Sequence, residues 1–402
     1  RRNRRQRLAQ APAKAMTDML PNPLEKQPPA RFSILHTEWS DGWGGQERRI
    51  LSEMTGMAER GHRLILATRR QAKLAAQARK CGIETIDLPF SGKFDLRSIL
   101  PLSRLIRRER IDIVNTHSGI DSWVGAFAAR LGGAHLVRTR HLNLPLHRHW
   151  YNFVHFMAQR VVSCGETMRR NLIDNCGFPE TQVVSIPTGI DFETFVARRT
   201  RAETRRDLGI DDAAFVILMV GIIRSVKRHE VALRAFARFR ASAPQAVLLL
   251  AGDGPMRGDM ERLAQDLGLA GAVRFLGYRE DVPDLFAAAD CALLTSRSEG
   301  VPQAVTQGLG CGLPTIATRV GGVPELIEDG KTGLLVAPED TEAIAAGLSR
   351  FAADPDFAHR LGAAGRAHVH RHFSRAAMLE ATERLYAEIC GRALPPHGRR
   401  ES

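Results

Sequence analysis

Residues 296–314 read SRSEGVPQAVTQGLGCGLP and carry the densest set of groups able to hold an anionic ligand. Glu299 stands between an apolar run and Gly300-Val301-Pro302, where a helix should open. Proline suits the first helical turn because its φ is already set and its missing N–H is not needed there. The free amides of that turn, around Gln303 and Ala304, would point at an anion, with the helix dipole assisting. Gln307 follows Glu299 by about two helical turns, so both fall near one face and can meet separated parts of one elongated ligand. An exposed acid at a strand–helix turn with a solvated Gln fits the same spacing, and spacing alone leaves both readings open.

A second constellation is Gly221-Ile222-Ile223-Arg224-Ser225-Val226-Lys227-Arg228, directly after the apolar run 215–220. It is a basic loop able to grip an anion, or a solvated one. Trp43-Gly44-Gly45-Gln46-Glu47 follows the first strand, and paired glycines let a phosphate or another substrate approach the backbone closely. His117 closes the strand 111–116; a lone His at a strand end is more often structural than functional. Arg138, Arg140 and His141 end another strand and are candidates to bind an anionic substrate group. The D-x-D at Asp354-Pro355-Asp356 sits late in a loop, not after a central strand, and there is no G-x-x-x-x-G-K-[ST] loop. A metal-bound diphosphate is therefore not expected, and Arg and Lys must do the work that Mg²⁺ does elsewhere.

These groups need a frame. From residue 31 the chain alternates short β-rich runs with helical patterns: strands near 32–36, 64–68, 85–88, 111–116, 136–139, 161–163 and 183–186, with helices such as 46–60, 95–110 and 122–131 between them. A charged stretch, 197–212, interrupts the pattern, which resumes at 215–220 and continues through 247–251, 273–276, 292–294, 315–317 and 334–336. Such alternation predicts α/β architecture with parallel sheets and right-handed crossovers. At 402 residues two domains are the default, with the ligand cleft between facing strand ends. The expected division is a basic, Pro-rich disordered tail over 1–30, a Rossmann-like domain over 31–196 and a second over 197–374. A final helix over 375–394, with Met378, Leu385, Tyr386 and Ile389 as its apolar stripe, is expected to pack back on the first.

The chain is 44% hydrophobic and 25% charged, ordinary for a globular protein, and no run of about 18 apolar residues suggests a membrane span. No secretory h-region follows the basic start, so the cytoplasm is the expected compartment. Six scattered cysteines without a C-x-x-C pair read as reduced thiols. The net charge of +13 is compatible with anionic lipid, phosphorylated substrates or nucleic acid. No aromatic-basic RNA-binding signature accompanies it, so nucleic acid is not an expected partner. An aromatic segment, 147–161 with Trp150, Tyr151, Phe153 and Phe156, fits a lipid-facing helix or, slightly better, a core helix.

Taken in order, Glu299, Gly300, Pro302, Gly312 and Pro314 closely resemble the signature of glycosyltransferase family 4. Supporting segments are Ala251-Gly252-Asp253-Gly254-Pro255, Val273-Arg274-Phe275-Leu276-Gly277, Gly321-Gly322-Val323-Pro324-Glu325 and Asp329-Gly330-Lys331-Thr332-Gly333-Leu334. The resemblance spans nearly the whole ordered chain. It implies a GT-B fold, two Rossmann-like doubly wound domains facing across a cleft, and a retaining, metal-independent transfer of sugar from a nucleotide-diphosphate sugar, with no other cofactor. By the same resemblance Arg224 and Lys227 hold the donor diphosphate with Gly44, Gly45, Gln303 and Ala304. Glu299, Gly300, Val301, Pro302 and His117 contact the donor sugar, and Gln307, Tyr278 and Arg279 the nucleoside. Glu299, His117, Arg224 and Lys227 form the catalytic set. Arg138, Arg140 and His141 face the acceptor, a glycan or lipid-linked molecule of lipopolysaccharide or other cell-envelope synthesis, at the inner membrane face. The sequence departs from the signature at Gln307, where the family has a second Glu; a Gln keeps hydrogen bonds to ribose but loses their charge-assisted part. That departure motivates an alternative, a non-catalytic nucleotide-sugar or glycan binding protein of the same fold. Pro187-Thr188-Gly189-Ile190-Asp191 resembles the family's domain junction, with Gly189 expected to carry unusual backbone angles.

Overall fold

The structure, a computed structural model, describes residues 32–142, 146 and 149–393. The expected tail over 1–30 lies outside these residues. Two parallel sheets organise the chain. The first contains β1 (Ser33–Glu38), β2 (Arg63–Thr68), β3 (Glu84–Asp87), β4 (Ile113–Thr116), β5 (His135–Arg140), β6 (Arg160–Ser163) and β7 (Val183–Ser185) in the order β3-β2-β1-β4-β5-β6-β7. The second contains β8 (Val216–Val220), β9 (Val247–Ala251), β10 (Val273–Gly277), β11 (Cys291–Leu294), β12 (Thr315–Thr318) and β13 (Leu334–Val336) in the order β10-β9-β8-β11-β12-β13. Strands such as VILMV and VLLLA are apolar almost throughout because helices cover both faces of the sheet.

In each sheet the order reverses between the first and fourth strands, β1/β4 and β8/β11. Loops diverge at such a point and leave a crevice beyond the strand ends, where ligands bind in doubly wound folds. His36 lies on β1 and His117 follows β4; Lys227 follows β8 and Glu299 follows β11. Of these, His117, Lys227 and Glu299 are residues that the sequence marks as chemical, and they stand at the two reversal points.

The Arg375–Cys390 helix starts on a Ser374 cap, whose hydroxyl oxygen accepts from the Ala377 N–H at 3.2 Å. It lies against the Gly45–Glu59 helix and buries Met378, Leu379, Leu385 and Tyr386 among Phe32, Ile34, Ile50 and Met54 of the first sheet's core. A Cβ at Gly56 would come 2.4 Å from Leu379 Cδ1, so the Leu379 side chain packs directly over the glycine. Polar groups fix its rotation: Glu383 meets His62 Nε2 at 2.8 Å and Arg60 at 2.6 Å, and Asn115 donates to the Tyr386 hydroxyl at 3.0 Å.

Three local expectations change. The charged stretch 197–212 contains the helix Arg201–Asp207, opened by a Thr200–Glu203 capping box. Its Arg205 is buried, donating to the carbonyls of Ala288, Asp212 and Ala214 and pairing with Asp290 at 2.8 Å. A seven-residue helix held by a buried guanidinium has no apolar period to reveal it. The aromatic segment is a 3₁₀ stretch, Trp150–Phe156, with Tyr151 48% and Phe153 44% exposed, and not a core helix. Gly189 does not have a positive φ; it is needed because a Cβ would approach the Ser374 carbonyl oxygen to 2.5 Å where the two junction segments pair.

Candidate active site

A cavity of about 320 Å³ opens between the two sheets. The first half contributes Gly45, Gln46, His141, Cys164, Gly165, Thr167 and Thr188; the second contributes Lys227, Glu299, Gly300, Val301, Pro302, Gln303, Gly322 and Glu325. Lys227 Nζ donates to Glu299 Oε1 at 2.6 Å, with the two side chains only 15% and 11% exposed. Ser296 Oγ donates to the same oxygen at 2.5 Å. Lys227 ends a short 3₁₀ turn, Ser225–Lys227, that Thr295 pins by donating toward the Lys227 and Arg228 carbonyls at 3.0 and 2.9 Å. A fixed cation and a fixed carboxylate therefore share one wall.

Backbone contacts set the Glu299 loop. Gly321 has φ +50, and a Cβ there would sit 1.8 Å from the Glu299 carbonyl oxygen; one on Gly322 would sit 2.4 Å from that of Gly300. The Gly-Gly of 321–322 thus exists to let two loops touch. The helix Gln303–Gly310 begins after Pro302, so its N-terminal end, at Gln303, meets the cavity wall. Gln307, one turn further, lines a separate crevice of about 650 Å³ with Tyr278 and Arg279. Tyr278 is 70% exposed at its rim, and Arg279 is held by Asp281 at 2.5 Å. Glu299, in the loop before this helix, and Gln307, on it, thus line two different hollows.

Other candidates lie elsewhere. Arg224 is exposed, before the Lys227 turn, and does not line the cavity. Gly44 is one residue behind Gly45, its N–H bonded to Glu47 Oε2 at 2.7 Å. Ala304 lies behind Gln303 and borders a small hollow of the second core. His117 is buried, bonded to His36 and His141, and does not reach the cavity wall. Arg138 and Arg140 are also buried, so only His141 of that trio meets the cavity. Arg138 is bonded to Ser122, and burial pushes its guanidinium below the usual range. Charged side chains at the buried end of a strand point into the layer beneath the crevice, not into the crevice. Arg228 has a left-handed backbone (φ 53, ψ 48) and is paired with Glu230 at 2.6 Å and with Glu339. Asp354 of the D-x-D caps a helix by accepting the Phe357 N–H at 2.9 Å.

Sequence reading missed three groups. Glu325 Oε2 and Oε1 accept the Glu166 and Thr167 N–H groups at 2.7 and 2.9 Å, so a carboxylate from the second half sits on the first turn of the helix Glu166–Asp174. Thr167 Oγ1 returns a bond to the Gly321 carbonyl at 3.0 Å. Gln46 and Glu38 form the second group: Gln46 lines the cavity and donates to Glu38 Oε2. Burial, then the charge of Asp121, pushes the Glu38 carboxyl up to about 8, so near neutral pH it is largely protonated. The third is Cys164 beside His141, at 3.7 Å. A signal for the Cys164 neighbourhood was present: His141 directly follows β5, and β5 lies beside β6, which Cys164 follows.

Residues 200–368 match the sequence family described as glycosyl transferases group 1, and residues 43–194 match Glycosyltransferase Family 4. The chain is 27% identical over 305 residues to the N-acetyl-alpha-D-glucosaminyl L-malate synthase of Bacillus anthracis, covering 74% of this chain and 80% of that one. It is 30% identical over 260 residues to the GDP-mannose-dependent alpha-(1-6)-phosphatidylinositol monomannoside mannosyltransferase of Mycolicibacterium smegmatis, covering 60% and 67%. Among solved structures it resembles Anabaena HepE in complex with UDP, with a TM-score of 0.79 and 20% identity over 89% of this chain and 100% of that one.

Proposed function

This chain belongs to glycosyltransferase family 4, has the GT-B fold and is a glycosyltransferase with a nucleotide-sugar donor; from that premise we propose a retaining, metal-independent transfer to a glycan or lipid-linked acceptor of cell-envelope synthesis, lipopolysaccharide included. The observation that carries this reading is the Lys227–Glu299 pair at 2.6 Å, on the wall of a cavity built from both halves. Lys227 and the amides around Gln303 hold the donor diphosphate; Arg224, exposed outside the cavity, would have to swing in to join them. Glu299 binds sugar hydroxyls, and Gln307 with Tyr278 and Arg279 receives the nucleoside in the adjoining crevice. As the glycosidic bond to the diphosphate breaks, negative charge grows on the leaving phosphate, and cations already in place stabilise it. The acceptor hydroxyl enters on the same face, and its proton passes to the departing phosphate oxygen. Sugar release from UDP- or GDP-sugars should persist in excess EDTA. A transfer rate that disappears on chelation and returns with Mg²⁺ would reject metal independence, and donor binding without turnover would favour the non-catalytic alternative.

We further place the enzyme at an anionic membrane surface. Among the described residues no helix is long and apolar enough to cross a membrane. The Leu96–Arg108 helix and the turn before it expose Phe94 (65%), Leu96 (61%) and Leu100 (41%) beside Lys93, Arg97, Arg104, Arg107 and Arg108. Phe94 packs on Trp123, and Trp123 on the half-exposed Phe153, so the apolar face continues onto the 3₁₀ stretch. Apolar side chains ringed by Arg and Lys favour a surface with anionic headgroups, each basic residue adding about 1 kcal/mol near it. The protein should float with phosphatidylglycerol vesicles and not with phosphatidylcholine ones, and a Phe94→Asp, Leu96→Asp double variant should stay at the bottom of the gradient. Equal flotation of the variant would remove this face from the proposal.

A further inference from the structure

Three imidazoles run from the cavity wall into the first sheet. His141 lines the cavity; its Nε2 lies 3.0 Å from His117 Nδ1, and His117 Nε2 lies 2.9 Å from His36 Nδ1. The His36 and His117 ring planes are nearly parallel, 8° apart, with centroids separated by 5.1 Å. Both rings are buried, and the far nitrogen of the chain, His36 Nε2, is enclosed with no hydrogen-bond partner among the described residues. Burial holds all three well below the usual imidazole range, with Arg49 and Arg138 adding to this at His117 and His141, so every ring is neutral.

A neutral imidazole has one N–H and one lone pair. Two contacts between three neutral rings then force all N–H bonds to point the same way along the chain, and one ring's tautomer dictates the others. Only two settings exist. If the protons point inward, His36 Nε2 carries an N–H that is buried and unbonded. If they point outward, the orphan at His36 is a bare lone pair, the less costly of the two for a buried group. The outward setting also fits the cavity end. Burial keeps Cys164 a thiol whose S–H donates to the Arg140 carbonyl at 3.1 Å, which leaves its sulfur to accept from Arg49 at 3.4 Å and from His141 Nδ1. That contact is long, at 3.7 Å, and an oxygen would be a better acceptor.

We propose that His36 and His117 are positioning residues that lock His141 with its proton on Nδ1, making His141 a hydrogen-bond donor to a hydroxyl or phosphate oxygen of the substrate and not a base. This rests on the cavity being the transfer site, and it changes what the chain's histidines do: His117, expected to touch the donor sugar, acts here through His141.

The lock is read on the ligand-free, ¹⁵N-labelled full chain by long-range ¹H–¹⁵N correlation of the imidazoles. His141 should show a protonated Nδ1 and a bare Nε2, and His36→Phe, or His36→Leu as a second variant, should turn that single tautomer into a mixture. A protonated Nε2 at His141 in the unaltered protein overturns the proposal whatever the enzyme transfers. In the transfer assay His141→Asn keeps an N–H near the Nδ1 position and should stay within about 10-fold of the unaltered kcat/KM. His141→Asp offers only acceptors and should fall by about 100-fold, the scale of one hydrogen bond to a charged group. Equal rates for the two variants overturn the donor role. Absence of transfer by the unaltered protein rejects the functional reading and leaves the tautomer measurement to judge the lock.

Discussion

Replacing Lys227 with alanine is expected to lower kcat for sugar transfer by about 10²–10³-fold, the usual effect of deleting one preorganised group that meets developing charge. The side chain is largely shielded from water and lies 2.6 Å from Glu299, so its charge acts where the dielectric is low and salt screens it poorly. Its backbone does not depend on that charge. The turn is pinned by Thr295 and by Arg297, whose N–H donates to the Val226 carbonyl at 2.8 Å. The melting temperature should consequently change little, separating a chemical defect from a folding one. Glu299→Ala should show a comparable loss of transfer on an intact fold. Full activity in both variants would dismiss the assigned site, and a rate loss matched by unfolding would show that the pair is structural.

Glu325→Ala should lower kcat/KM by about 10–100-fold through domain geometry, since Glu325 is not assigned a bond to the reacting atoms. Its carboxylate joins the two halves by bonding the Glu166 and Thr167 amides, and a charged hydrogen bond contributes about 1.5–3 kcal/mol. Because each decade of an equilibrium constant is about 1.4 kcal/mol, losing this clasp should shift the balance toward separated halves by roughly 10–150-fold. Small-angle scattering should report a larger radius of gyration for the variant, and Glu325→Gln, which retains an acceptor oxygen, should fall between the two. An unchanged radius with unchanged kinetics would mean that other contacts hold the halves together.

The sheets were readable because their strands are apolar runs punctuated by glycine turns; 247–251 and 334–336 agree with β9 and β13 to the residue. The Glu299 and Lys227 loops were readable for a related reason. Each is a short contiguous motif, and local spacing is what a sequence displays. What escaped depends on partners far apart in the chain. Glu325 meets residues 158 and 159 positions away, and His36 meets His117 across 81. Pairings of that kind appear only once strand order is known. Arg138 and Arg140 misled for another reason: a strand's alternation says which side chains share a face, not how deep the last ones lie. The Arg201–Asp207 helix escaped because its identity rests on a cap and a buried Arg, with no hydrophobic stripe.

The return of the Arg375–Cys390 helix to the first sheet has a consequence for how the protein is made. Phe32, Ile34, Ile50 and Met54 find their remaining cover in Met378, Leu379, Leu385 and Tyr386, which are synthesised more than three hundred residues later. At about 5–20 residues per second, the more than three hundred residues between them hold that apolar patch uncovered for tens of seconds during synthesis. The second sheet, whose core draws on residues 217–361, can close sooner after its own translation. In the nascent chain, then, the half begun first closes only after the second, and a ribosome stalled before residue 378 leaves it exposed to chaperones and proteases.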